Sequence, residues 1–252
     1  MLDREEVPKQ KEQKVRAVIV DGRAAHLMEK RLLSMGIEVI KTLRHPRLYD
    51  AVAFHPDMVI CPVGDGKMVV EPTMYEYFKK SLSSYGTMVL KGKTELSRNY
   101  PLNIAYNIAV AGNRAFLYSR YADKTIVDEL RKNNTVLINV KQGYTKCSTA
   151  VVDDSSIVTA DRGIYTAAIK NGMDALLINP GQIILEGFDY GFIGGCCGRI
   201  GESLLAFSGN PSLHPDWSVL SEFLEKRGIT AVPLFDGPLI DVGSIIPVVA
   251  IN

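Results

Sequence analysis

Along the chain, runs of β-branched apolar residues of strand length alternate with segments whose apolar positions recur every three to four residues. This alternation predicts strands and short helices in a repeating order. Residues 15–21 (VRAVIVD) read as a strand, 24–35 as an amphipathic helix stopped by Gly36, and 37–42 as the next strand. A longer unit begins beyond His55: a strand at 57–62, a turn at Gly64-Asp65-Gly66, a strand at 67–71, a helix at 73–85 and a strand at 87–91. Asp-Gly between two apolar runs predicts a hairpin. The same order follows at 107–111, 114–118, 123–132 and 135–140, then at 149–152, 156–159, 163–171 and 175–178. A last copy reads as a first strand at 203–207, a helix at 216–226 and a strand at 230–234, its second strand poorly marked by NPSLHP.

Counted from Ile37, Thr87, Thr135, Asp174 and Thr230, the third strands recur every 39 to 56 residues, a period that points to a propeller or solenoid. The N-terminal copy lacks a first strand, while residues 244–251 (SIIPVVAI) form a spare one with no helix after it. If the spare strand completes the first copy, the chain closes into a ring of five ββαβ units, which leaves no exposed ends to cap. Doubly wound folds alternate single strands with helices, whereas here hairpins precede most helices. The expectation is an α/β protein with one domain over residues 15–252 and a solvated tail over 1–14.

Composition narrows the function. Lys plus Arg number 29 against 28 Asp plus Glu, so no bulk field draws the chain to nucleic acid or anionic lipid. The N-terminus, MLDREEVPKQKEQK, has no apolar run to serve as a signal peptide, and no segment approaches a membrane-spanning length. Four cysteines, two of them adjacent, do not form a disulfide framework. Together these imply a cytoplasmic protein with reduced thiols and no nucleic-acid or membrane partner. Oligomeric state stays open, with a homodimer among the options.

Candidate chemistry collects at the expected strand starts. Cys196 and Cys197 lie in Gly194-Gly195-Cys196-Cys197-Gly198-Arg199, read as a loop leading into a first strand. Its glycines either let backbone approach a ligand or only make a tight bend, and Arg199 would lower a thiol pKa. Cys147 stands at the matching edge of its own unit and is expected to face Cys196 or Cys197. Cys61, mid-strand, reads as core. His55, opening a strand as His55-Pro56-Asp57, is the best general acid or base. Asp241 is placed to face the centre with Asp57. Asp216 reads as a helix N-cap, Trp217 as packing, and His26 and His45 as surface residues. Cysteine spacing gives no metal site, and no cofactor is expected.

Five ββαβ units closed by a C-terminal strand resemble the pentein fold, a five-bladed α/β propeller shared by arginine and agmatine deiminases, amidinotransferases and dimethylarginine hydrolases. Glu186-Gly187-Phe188-Asp189, with Gly194 and Gly195 beyond, is similar to that family's E-G-G-D segment. The resemblance implies carboxylates that clamp a guanidinium, a His acid/base and a Cys nucleophile near the C-terminus. It assigns Glu186 and Asp189 to the clamp and puts Asn107 where an acidic residue is usual. It also places Pro247 near the nucleophile position, and Arg199-Ile200-Gly201-Glu202 where the His belongs, so the chain is similar to a bacterial branch without the usual Cys. Three expectations follow: a binder of a small polar, guanidino or amine metabolite through Glu186, Asp189, Asp57, Asn107, Asp241 and Arg199; a hydrolase or transferase whose nucleophile has moved to Cys196, Cys197 or Cys147, with His55 as acid/base; or a non-catalytic docking protein like the pentein-fold ribosome anti-association factor.

Overall fold

The computed structural model describes residues 14–249. Residues 1–13 of the expected tail and the end of the expected last strand, including Ile251, lie outside them. The elements run β1 (Val15–Val20), α1 (Ala25–Ser34), β2 (Glu38–Lys41), β3 (Ile60–Gly64), β4 (Lys67–Val70), α2 (Tyr75–Ser81) and β5 (Met88–Lys91). They continue β6 (Ala109–Ala111), β7 (Arg114–Leu117), α3 (Lys124–Lys132), β8 (Val136–Asn139), α4 (Thr145–Ser148), β9 (Thr149–Val151), β10 (Ser156–Thr159), α5 (Arg162–Lys170) and β11 (Asp174–Leu177). The last are β12 (Cys197–Gly201), β13 (Leu204–Phe207), α6 (Trp217–Glu225), β14 (Thr230–Pro233) and β15 (Ile246–Val249).

These strands form five three-stranded sheets, β15-β1-β2, β3-β4-β5, β6-β7-β8, β9-β10-β11 and β12-β13-β14. In each sheet the middle strand pairs antiparallel with the first strand, and parallel with the third across a helix. The pairing expected of the spare strand is present: β15 runs antiparallel to β1, with Ile19 opposite Ile246 and Val18 opposite Pro247. Local chemistry accounts for the units. Asp65 (φ 50°) and Gly66 (φ 65°) supply the two positive φ values of a type I′ hairpin between β3 and β4. Asp123 caps α3 by accepting from Thr125 N at 2.8 Å, and Asp161 caps α5 by accepting from Ile164 N at 2.8 Å.

Three readings shift. Strand β3 begins at Ile60, because Pro56–Met58 form a 3-10 turn that carries Asp57, with His55 at its N-cap. Leu204–Phe207 is the middle strand of the fifth unit, and Cys197–Gly201 is its first, so Cys197 and Arg199 lie within a strand rather than a loop before it. Glycine weakens strand propensity, and CGRIG carries no alternation to announce itself. Glycine is nonetheless required there: a Cβ on Gly198 would collide with the Ile245 carbonyl, since β12 and β15 converge. His45 is fully buried rather than on the surface, its Nε2 3.3 Å from the equally buried Glu71 Oε2. The connector after β2 folds inward, and a connector histidine has no periodic signal to reveal this.

The largest core cluster joins β1, β3, β4, α2, β7 and β15 through Ala17, Ile60, Val69, Phe78, Leu117 and Val248. Trp217 packs half-buried against another cluster, as expected. No helix among the described residues is long and apolar enough to cross a membrane. The first strands of all five units, β3, β6, β9, β12 and β15, border one cavity of about 200 Å³. The segments leading into them are thereby brought together.

Candidate functional site

Each of those leading segments contributes to one buried polar cluster. Ahead of β3, Asp57 donates its N–H to Gly243 O at 3.2 Å. A Cβ on Gly243 (φ 67°) would strike His55, so only glycine lets the two segments cross. Ahead of β15, Ser244 takes a φ of 75°, uncommon for a residue with a side chain. Its hydroxyl lies 2.6 Å from Asp57 Oδ2 and 2.8 Å from Gly194 O, and receives a hydrogen bond from Lys146 Nζ at 2.9 Å. Ahead of β9, on α4, the Cys147 thiol donates to Asp57 Oδ2 at 3.1 Å. Ahead of β6, Asn107 Nδ2 donates to Cys147 Sγ at 3.0 Å, while Asn107 Oδ1 accepts from the N–H groups of Lys146 and Cys147 at 2.8 and 3.2 Å. An amide can do both. A carboxylate could accept from the two N–H groups, but it could not donate to sulfur.

Asp241 completes the cluster. Its Oδ2 accepts from Phe192 N at 2.9 Å, its Oδ1 accepts from Gly243 N at 3.0 Å, and His55 Nδ1 stands 3.8 Å away. Burial pushes the Asp241 carboxyl above its ordinary range; His55 opposes that shift and the Asp57 charge adds to it. On the far side of His55, Nε2 lies 3.9 Å from Asp21 Oδ2, and Asp21 is itself paired with Arg23 at 2.6 Å. Both His55 ring nitrogens and Asp57 Oδ1 are buried with no hydrogen-bond partner among the described residues. Such orphans are rare in folded proteins.

Aromatic rings wall the cluster. Tyr49 and Tyr144 hydroxyls meet at 3.4 Å, Asn103 Nδ2 donates to Tyr144 at 2.9 Å, and Phe192 stands 6.4 Å from the Tyr144 ring. Burial raises the Tyr49 phenol pKa, with Tyr144, Cys147 and Asp241 all adding to the shift, so Tyr49 sits beside the acidic centre.

Burial works against thiolate formation at all three cysteines. Burial first, then the charges of Asp57 and Asp241, push Cys147 well above its ordinary value; the Asn107 hydrogen bond opposes this. Burial likewise raises Cys196 well above that value and Cys197 to about 12. Cys196 donates to Ile193 O at 3.1 Å, while the polar partners of Cys147 are Asp57 and Asn107 rather than the expected Cys196 or Cys197. Arg199 does not activate them: its guanidinium pairs with Asp154 at 2.8 Å, and the cation acting on Cys196 and Cys197 is Lys146. The glycines around the pair serve close packing, since a Cβ on Gly194 would collide with the carbonyls of Lys146 and Thr149 and one on Gly195 with Asp241. Cys61 is core, as expected.

The structure thus brings together Asp57, Asn107, Cys147, His55 and Asp241. It leaves Glu186 and Asp189 exposed, without a hydrogen bond or ion pair among the described residues, on the loop whose Phe188 ring packs 5.7 Å from Tyr49. Sequence reasoning missed Ser244 and Lys146 as members of the cluster, and missed Asp21, Tyr49 and Tyr144. The first two were within reach, because they occupy the same pre-strand register as Asp57 and Asn107. Among the described residues no group of three or more His, Cys, Asp or Glu is arranged to hold a metal ion.

A family of unknown function (DUF6873) matches residues 19–246. The chain belongs to this family. No curated protein sequence matches the chain significantly. Solved structures similar to this family member include DDAH from Pseudomonas aeruginosa complexed with citrulline, at TM-score 0.57 and 9% identity over 89% of this chain and 96% of that one. The inosamine-phosphate amidinotransferase of Streptomyces griseus aligns at TM-score 0.56 and 12% identity, covering 90% of each chain. The agmatine deiminase of C. jejuni aligns at TM-score 0.54 and 10% identity over 91% of this chain and 89% of that one. At these identities the likeness establishes the fold, which is that of the pentein guanidino-modifying enzymes.

Proposed function

We propose that this chain binds a small cationic metabolite of the amine or guanidino class against Asp57 and Asp241, beside the wall formed by Tyr49, Tyr144 and Phe192. The observation that carries this reading is the unpartnered Asp57 Oδ1 beside the unpartnered nitrogens of His55, in a cluster of three buried carboxylates. Buried acceptors without donors are costly, and an ammonium or guanidinium supplies both the donors and the opposite charge. Aromatic faces add attraction for a cation. The structures that share the fold include a hydrolase holding citrulline and an agmatine deiminase. Calorimetric titration with agmatine, arginine and citrulline tests the reading. Binding of at least one that weakens in Asp57→Asn supports it, and no heat from any of them refutes it.

A second reading, thiol chemistry at Cys147, draws support from the Asp57 to Cys147 contact of 3.1 Å. Asp57 would take the thiol proton as sulfur adds to the guanidinium carbon and the C=N pair moves onto nitrogen; that proton would then pass to the amine nitrogen as its bond to carbon breaks, and water or a second amine would displace the sulfur. This reading requires hydrolysis or amidino transfer that disappears in Cys147→Ser while ligand binding persists.

A further inference from the structure

The cavity bordered by all five units lies apart from the proposed cation site: Asp57, Asp241 and Cys147 are not among its walls. Pro62, Val110, Val151, Cys197 and Pro247, one from each unit, make it largely apolar. Its titratable groups are few. Arg199 and Asp154 neutralise each other at 2.8 Å, and the Cys197 thiol, pushed up to about 12, stays uncharged. The remaining one is Lys146, the residue shared between cavity and polar cluster. Its ammonium has three N–H donors but only two acceptors among the described residues, Ser244 Oγ at 2.9 Å and Gly194 O at a long 3.4 Å. One donor of this half-buried cation is left without a protein acceptor among the described residues, on a side chain that lines the apolar cavity.

We infer that this cavity binds a small monocarboxylate with a compact apolar body, its carboxylate on the Lys146 ammonium and its body against the five first strands. Size agrees, since a dry apolar cavity of about 150 Å³ accepts benzene, and the additional volume here accommodates a carboxylate on such a ring. Charge selects the anion, because Lys146 repels a cation and gives a neutral hydroxyl only a weaker hydrogen bond. The ligand is opposite in charge to the one proposed for the Asp57 cluster, so the two assignments stand or fall separately.

The test is titration of the full chain with benzoate, and with benzylamine and benzyl alcohol as matched controls, followed by calorimetry and amide NMR shifts. Benzoate should bind and perturb residues of all five first strands, with benzyl alcohol roughly ten- to a hundredfold weaker and benzylamine weaker still. Lys146→Met, which keeps the aliphatic stem, should weaken benzoate by a similar factor. Val110→Phe, which fills the chamber from its wall, should remove benzoate binding and leave agmatine titrations unchanged; it also carries the test if Lys146→Met does not fold. Equal affinity for benzoate and benzyl alcohol, undiminished binding in Val110→Phe, or no benzoate binding at millimolar concentration would each overturn the assignment.

Discussion

Ser244 and Asp57 lie 187 positions apart in the chain, yet their side chains meet at 2.6 Å in the buried centre. The contact ties the segment entering the last strand to the segment entering the first strand of the second unit. Asp57 Oδ2 also accepts from Cys147, so one carboxylate oxygen joins three distant stretches of sequence.

Replacing Asp57 by Ala should therefore cost stability well beyond its size. It leaves the Cys147 thiol without its carboxylate acceptor and the Ser244 hydroxyl with Gly194 O alone, a loss on the order of 1–3 kcal/mol. Urea unfolding of the variant measures it. Asp57→Asn, which keeps the shape and one acceptor oxygen, should lose less than half as much.

All four cysteines should alkylate slowly in the folded protein at neutral pH. Burial raises each thiol, Cys61 and Cys197 to about 12, and leaves little thiolate to react. Iodoacetamide labelling read by mass spectrometry checks this. Cys147 reacting much faster than Cys61 would favour the catalytic reading over the binding one.

Two glycine substitutions separate collision from backbone strain. Gly198→Ala drives a methyl into the Ile245 carbonyl where β12 and β15 converge, and should cost more than about 3 kcal/mol or prevent folding. Gly36→Ala meets nothing within 4 Å, and only its φ of 74° opposes a side chain, so roughly 1–2 kcal/mol is expected. Thermal or urea unfolding of both variants should show the large difference.

Acid should destabilise the fold through Asp123. Burial alone would raise this carboxyl, but hydrogen bonds from Thr94, Lys93 and Thr125 prevail and hold it below its ordinary range. A depressed carboxyl contributes stability that is fully present above the unfolded value of about 3.9, and that is lost as pH falls from there through the lower folded value. Asp123→Asn should be less stable at neutral pH and should show a shallower acid limb when urea midpoints are followed against pH.

Asp241 behaves in the opposite sense. Its raised carboxyl takes up a proton at a pH above the ordinary value of about 3.9, so acidification relieves its burial cost while removing its charge. Agmatine affinity should therefore start to fall at a higher pH than an ordinary carboxylate would dictate. Asp241→Asn should bind more weakly at neutral pH and lack that limb. An affinity in the unmodified protein that stays flat down to acid unfolding would place Asp241 outside the ligand site.

Legibility differed between elements for physical reasons. The hairpin at Asp65-Gly66 announces itself because a turn needs only its own few residues, whereas Asp216, read as a helix N-cap, stands at that position but turns its carboxylate to Asn179. The strand Cys197–Gly201 did not announce itself, since its Gly198 answers to the Ile245 carbonyl of another unit. Glu186 and Asp189 matched a four-residue segment, yet they stand exposed, while Lys146 and Ser244, which matched nothing, hold the centre. Cys147, placed toward Cys196 by the repeat, makes its hydrogen bonds with Asp57 and Asn107, partners whose approach depends on how the units lie against each other.

The repeat of hydrophobic runs, the order of strand and helix within four of the five units and the spare strand at the end were determined by the sequence alone. Each of these follows from short-range periodicity and turn chemistry. Which side chains share the buried centre was decided only by the tertiary structure. The five pre-strand segments are tens to nearly two hundred residues apart, and their meeting depends on how the five first strands pack around one cavity. That convergence is also why the glycine-rich stretch at Gly194 to Gly198 reads as close packing, and why the chemistry gathers around Asp57.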